Sequence, residues 1–409
     1  MYAPAQTNPS LVDGRRALGT VAYMPEPLLS HVDLMEWDLR RGRALFRLVG
    51  DVTVGWDETP MRSTVIARFR LSPQAELIEI WIRSDEPLRL RLDPRLVGRP
   101  AAPVPVTVYL DQNHWIALAR EMLRMAPRAG EDRAAMRQLI EMSQSGMVAL
   151  PLCSGRVAET TRVGHGRRVD LAAAQVSLSQ GWALRNWKDV REQEVTGLLT
   201  GTPVRLTDVV TLPPAGVWSA SLHSDPDDLV AEMFRGLSSM MAFYDTLLED
   251  KALDATLARA AADEWAQAMQ KTSYTVAKHK GRVARECYLR AVLVRDLTPE
   301  ITAVIEAHPH LLPASRERLL ACFTEHLGAS PALSWLGALL TCRLRNSSDR
   351  WEGNDLIDMI SLTTATAYCD VVLAERKFAN LLSRCGQQLS GAQVVPSFRE
   401  LGPILDALA

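Results

Sequence analysis

Between residues 63 and 92 apolar and polar side chains alternate with the two-residue period of a strand that buries one face. In "ELIEIWIRS" Ile78, Ile80 and Ile82 share a face, and in "PLRLRLDPR" Leu88, Leu90 and Leu92 alternate with Arg89 and Arg91. With "STVIARFRL" these stretches predict a small β-rich module behind a loose N-terminal arm of about 30 residues. The proline-punctuated "VGRPAAPVPV", residues 97–106, disfavours helix and closes that module near residue 100.

A second pattern begins at "VTVYLDQNHWIALAREM". An apolar strand runs into Asp111, after which Trp115, Leu118, Ala119, Met122 and Leu123 follow the spacing of an amphipathic helix. The aspartate therefore stands at a strand-to-helix junction. A second helix is predicted over "RAAMRQLIEMSQ", stopping near Gly146. "MVALPLC" follows as a buried strand, with Ser154 capping the next helix. This βααβα order predicts an α/β core with a parallel sheet over 104–165. Residues 166–350 read as a long helical insertion, including "ALDATLARAAADEWAQAM" and the Ser-Pro start at Ser330 and Pro331. The segment 351–409 returns to α/β rhythm through helix, the strand "DVVLA" and another helix.

The composition is that of a folded protein: 409 residues, 47% hydrophobic and 23% charged, enough for two or three domains. Net charge is only −2, so attraction to a polyanion has to come from local patches. Three such basic segments stand out: "RVGHGRR" at 162–168, "KHKGRVAR" at 278–285 and "CRLRN" at 342–346. Six cysteines lack a CxxC pair or metal-ligand spacing, and reduced structural thiols are expected. Without a secretory-type start or a run near ~18 apolar residues, the expected location is the cytoplasm, with no membrane partner.

Acids recur where chemistry can use them. Asp111 follows the first strand, Glu159 lies in the helix after the second, and Asp355 and Asp358 stand near a helix start. Asp370 and Glu375 flank the last strand. Loops at the carboxyl ends of neighbouring parallel strands converge on one crevice, so these acids can meet. Clustered carboxylates repel one another and call for a cation, and oxygen-only ligands favour Mg²⁺ or Mn²⁺, which can activate water against a phosphodiester. Plainer roles stand beside these: Asp111 as a helix N-cap, Glu159 as a solvated helix residue, Asp355 as support for a helix dipole. His114 invites a general-base role but is more often solvated or packed at such a place. Trp115 is expected in the core.

At these residues the chain resembles the PIN-domain nucleases, in particular the bacterial PIN-like branch. The resemblance rests on "VYLDQNHWIALA", "LPLCSGRVAET" and "GNDLIDMISLTTATAYCDVVLAERKF". It implies a PIN-like α/β/α core and a metal site held by Asp111, Glu159, Asp355 or Asp358, and Glu375. Asp370 joins the catalytic acids either as a ligand or as the residue that fixes its turn. Asn113 matches the family's nearby polar residue and, with Arg162, Arg167 and Arg168, is expected on the substrate side. The implied activity is a Mg²⁺- or Mn²⁺-dependent endonuclease, a ribonuclease for single-stranded RNA ahead of one for single-stranded DNA. The family often dimerises, so a second copy is a further expected partner. The rival reading is a PIN-like scaffold without turnover that binds a protein partner. Haloacid-dehalogenase chemistry, which needs a second aspartate two residues on, is discounted because Asn113 stands there.

Overall fold

The computed structural model describes residues 28–57, 63, 65–82, 86–125, 132–200, 202–213, 240–248, 256–279, 281–307, 309, 330–385, 389 and 391–408. The expected N-terminal arm therefore lies almost wholly outside the described residues, as does Lys280 of the second basic segment.

The N-terminal alternation builds a six-stranded antiparallel sheet from β1 (Val32–Asp38), β2 (Arg43–Leu48), β3 (Thr53–Asp57), β4 (Arg68–Ser72), β5 (Leu77–Trp81) and β6 (Leu88–Arg91), in the order β3-β2-β1-β4-β5-β6. Met35, Trp37, Phe69, Leu71, Ile78 and Ile80 are buried on one face. The other face carries the row Glu36, Arg70, Glu79, Arg89, paired strand to strand. Its charges alternate, with Arg70 2.7 Å from Glu36 and 3.4 Å from Glu79. Cross-strand pairs of opposite charge fix the register of a face that burial does not.

The second sheet is parallel, with β7 (Val106–Leu110) between β8 (Val148–Ala149) and β11 (Val371–Leu373), and β12 (Gln393–Val395) outside β11. Both faces are covered, so the strands read as unbroken apolar runs. Val108 and Leu110 enter one hydrophobic cluster and Tyr109 the other. From β7 the chain passes through α1 (Gln112–Met122) and α2 (Arg133–Gln144) to β8 on one side, and returns much later to β11 on the other. β7 is thus the switch point of the sheet, beyond whose carboxyl end an open α/β sheet leaves a crevice.

β8 is shorter than the buried strand expected over "MVALPLC". Pro151 has no N–H to donate, and Leu152 turns instead to Trp182 and Leu184, exchanging hydrogen bonds of 3.0 and 2.7 Å. The next helix, α3 (Ser154–Thr160), has Cys153 rather than Ser154 at its N-cap position. The following region holds α4 (His165–Ser179), α5 (Trp187–Thr200), α6 (Thr256–Lys278), α7 (Arg282–Asp296), α8 (Thr298–Ala307) and α9 (Pro331–Leu344). It is not all helix: β9 (Ala183–Leu184) and β10 (Val210–Thr211) pair antiparallel. Nor does it stand apart, since α4 packs on both α1 and β6. After α10 (Gly353–Tyr368) and β11 come α11 (Arg376–Cys385), β12 and α12 (Phe398–Leu408), the last lying on α2.

The expectation of reduced cysteines fails at one pair. α9 packs on α11, which brings Cys342 and Cys385 into a disulfide with Cα atoms 6.2 Å apart. Spacing along the chain carries no trace of that packing. Among the described residues no helix is long and apolar enough to cross a membrane.

Candidate active site

Asp111 leaves β7 in extended conformation and caps α1, its Oδ1 accepting from the His114 backbone N–H at 3.1 Å. The same oxygen takes a contact of 2.5 Å from His114 Nδ1, while His114 Nε2 faces the Pro396 carbonyl at 3.3 Å. The backbone N–H of Asp111 donates to the Leu373 carbonyl at 3.0 Å, which fixes it at the carboxyl end of two adjacent strands. Asp111 is 5% exposed, and its Oδ2 is buried without a hydrogen-bond partner. A buried carboxylate oxygen left in that state is costly unless a cation or donor faces it.

Glu159 comes from α3 and Asp358 from α10, and a glycine lets these helices approach. A Cβ on Gly155 would stand 2.4 Å from Ser361 Oγ and 2.9 Å from Ile357 Cγ2 on α10, so no larger residue fits without a shift. Between the two acids lies Arg156, 1% exposed. Its Nη1 donates to Glu159 Oε2 and its Nη2 to Asp358 Oδ1 at 2.9 Å.

Burial pushes the Glu159 carboxyl up to about 7; Arg156 opposes the rise and repulsion from Asp358 and Asp111 adds to it. Burial likewise raises Asp358 against the pull of Arg156, with Asp111 and Asp355 adding repulsion. On Arg156 burial acts the other way, yet Tyr109, Glu159, Cys153 and Asp358 together hold its pKa well above the ordinary value. At the rim, Glu375 follows β11 and accepts a hydrogen bond from Asn113 Nδ2, two residues beyond Asp111.

Asp111, Glu159, Asp358, Glu375 and Asn113 are thus brought to one edge of the sheet. Asp355 and Asp370 are not. Asp355 closes a capping box with Glu352 and pairs with Arg343 at 2.9 Å, an arginine whose side chain is 0% exposed; Lys377 lies at 3.8 Å. Asp370 sits at the opposite end of the sheet, where its Oδ2 accepts from the backbone N–H and the hydroxyl of Thr107, each at 2.8 Å. Thr107 to Asp111 is about 13 Å of strand.

The first basic segment is divided by burial. Arg162 is exposed, donates to Asn354 Oδ1 at 3.1 Å and lowers the Glu159 pKa, so it borders the acids. Arg167 is exposed on α4. Arg168 is 1% exposed and donates to the Thr246 carbonyl at 2.7 Å, which corrects its expected place on the substrate side. One residue of helix turns a side chain by about 100°, enough to send neighbouring arginines to solvent and to core. Trp115 is fully buried, as expected. Arg156 was not among the expected site residues. Its only trace in the sequence is its place three residues before Glu159, on the same helix face.

The donor chemistry suits a hard divalent cation. Asp111 Oδ2 lacks a hydrogen-bond partner, and two further carboxylates bear pKa values raised by burial and by repulsion from neighbouring acids. Asp111, Glu159 and Asp358 would hold such an ion, with Glu375 at the rim. Arg156 already supplies one positive charge there, and among the described residues no group of three or more His, Cys, Asp or Glu side chains stands close enough to enclose a metal. Compared with known protein families, curated proteins and solved structures, the chain matches none of them.

Proposed function

We propose that this protein is a metal-dependent nuclease with a PIN-like α/β/α core that hydrolyses phosphodiesters of single-stranded RNA. The observation that carries the reading is the meeting of Asp111, Glu159 and Asp358, from three distant segments, beyond the carboxyl end of the central parallel strand. Carboxylates buried near one another at that cost are a common device for binding Mg²⁺ or Mn²⁺. Asp111, Glu159 and Asp358 would hold such an ion, which would supply Lewis acidity and lower the pKa of a water for phosphodiester hydrolysis.

The chain's own residues have separate tasks. His114 holds the Asp111 carboxylate in one orientation through its 2.5 Å contact at Oδ1, leaving the buried Oδ2 without a hydrogen-bond partner. Asn113 holds Glu375, and the exposed Arg162 beside Glu159 offers a guanidinium group to phosphate, with Arg167 exposed further along on α4. Arg156 favours a second reading, because a site already neutralised from within needs no metal and suits a scaffold without turnover.

The test is incubation of the purified chain with end-labelled single-stranded RNA and DNA in Mn²⁺, Mg²⁺ or chelator, beside Asp111→Asn and Glu159→Gln. Cleavage of RNA that requires metal and is lost in both variants is the expected result. If neither polymer is cut and calorimetry detects no Mn²⁺ binding, the nuclease reading falls and the scaffold reading stands.

A further inference from the structure

Two of the basic segments seen in the sequence, 278–285 and 342–346, meet in the fold. α6, α7 and α9 pack against one another, and between the end of α6, the start of α7 and the end of α9 lies a recess of about 440 Å³. It is lined by Arg282, Arg285, Glu286 and Arg345. The Arg282 and Arg345 side chains are 90% and 51% exposed. Arg282 Nε lies 2.9 Å from Glu286 Oε1, and Arg345 Nη2 lies 3.8 Å from the same oxygen. Arg285 donates to the His279 carbonyl at 2.5 Å, and the His279 ring lies beside Tyr288 with centroids 5.2 Å apart.

Arg282 and Arg345 thus share the Glu286 carboxylate while Arg285 is held by a backbone carbonyl, and the three guanidinium groups leave an excess of positive charge. Pockets for small organic ligands are mostly apolar; a recess walled by charged side chains suits phosphate, which arginine grips with two parallel hydrogen bonds. α6 links the recess to the helix that carries Asp358: it touches the start of α10 at Ala262 and Asp263, where a Cβ on Gly353 would stand 2.6 Å from Asp263 Oδ1, and runs about 22 Å of helix from there to Lys278. A polymer with a phosphate at every residue can follow such a length.

We propose that the recess formed by Arg282, Arg285 and Arg345 is an exosite that holds the phosphate backbone of a single-stranded RNA whose scissile bond lies at the acidic crevice. The inference rests on the nuclease reading, and the experiment separates the two. Anisotropy of a fluorescent oligouridylate of about 20 nucleotides, titrated in chelator over a range of salt, compares the wild-type chain with the double variant Arg282→Gln, Arg345→Gln. Manganese-dependent cleavage of a tetranucleotide, too short to span both sites, is measured alongside.

The variant should bind the long strand about tenfold more weakly, with a log–log salt slope smaller by about 1.4 for two lost phosphate contacts. It should cleave the tetranucleotide like wild type. Unchanged affinity and slope would overturn the exosite, while tetranucleotide cleavage keeps the nuclease reading. If the long strand binds through these arginines but nothing is cleaved, the exosite stands and the nuclease reading falls. If the wild-type chain binds no strand in chelator, the exosite falls, and cleavage of the tetranucleotide alone decides the nuclease reading.

Discussion

Arg156 Nη2 donates to Asp358 Oδ1 at 2.9 Å across 202 residues of chain, so a buried guanidinium ties the helix after β8 to the helix before β11. Removing it strands two partly buried carboxylates without a counter-charge, a change that costs about 3–5 kcal/mol in comparable buried pairs. Arg156→Met should lose stability of that order in urea. A divalent cation able to enter the same acidic space should restore part of it, so Mn²⁺ should raise the melting temperature of the variant more than that of wild type. An equal Mn²⁺ response in both proteins would show that Arg156 and the metal do not compete.

Asp111 has two duties that substitution can separate. Asparagine caps a helix about as well as aspartate, so Asp111→Asn should stay within about 0.5 kcal/mol of wild type, whereas Asp111→Ala should lose about 1 kcal/mol. Neither supplies a charged ligand. Both should therefore lose RNA cleavage by about two orders of magnitude or more, beyond the 10- to 100-fold typical of outer-shell partners. Cleavage by the asparagine variant at the wild-type rate would leave Asp111 as a cap and nothing else.

The neighbouring acids of α10 should behave in opposite ways. Asp355→Asn deprives Arg343 of one of its two carboxylates, Asp349 remaining at 3.0 Å, and weakens the capping box, so it should cost about 2 kcal/mol with Mn²⁺ affinity unchanged. Asp358→Asn should weaken Mn²⁺ binding at least tenfold with a smaller stability loss, because Glu159 still faces Arg156. Asp370→Asn should cost about 1–2 kcal/mol through Thr107 and leave Mn²⁺ binding intact. Calorimetric titration of the three variants checks the assignment, which fails if Asp355→Asn is the one that loses metal.

What the sequence disclosed follows the range of its interactions. Helical periodicity lies within one segment, so α2 runs over Arg133–Gln144 as its pattern predicts, and the Asp111 junction lies where the period changes. The arrangement of charges is set by contacts between segments, and there the sequence is mute. Asp355 and Asp358 differ by only about 60° around α10, yet one meets Arg343 and the other Arg156. Arg167 and Arg168 are adjacent in the chain, but one faces solvent and the other the Thr246 carbonyl. Nothing local marks Arg156 as the cation between two acids, Cys342 as the partner of Cys385, or Arg282 and Arg345 as walls of one recess.

The Glu159 carboxyl, pushed up to about 7 by burial, makes stability fall with pH. Below its unfolded value of about 4.3 it is protonated in both states and costs nothing. Between there and about 7 the unfolded chain gives up the proton while the folded one keeps it. The folded state is then penalised by at most about 4 kcal/mol, a cost complete once pH exceeds the folded value. Burial of Asp358 acts in the same direction from lower pH. The measurable quantity is the stability of wild type minus that of Glu159→Gln, which does not titrate. That difference should decline from pH 4 to pH 7.5 in chelator, and far less in saturating Mn²⁺, because a bound cation favours the charged form and expels the proton. A difference that stays flat in chelator would mean that Glu159 is solvated. The crevice would then lack the strained carboxylate on which its affinity for metal depends.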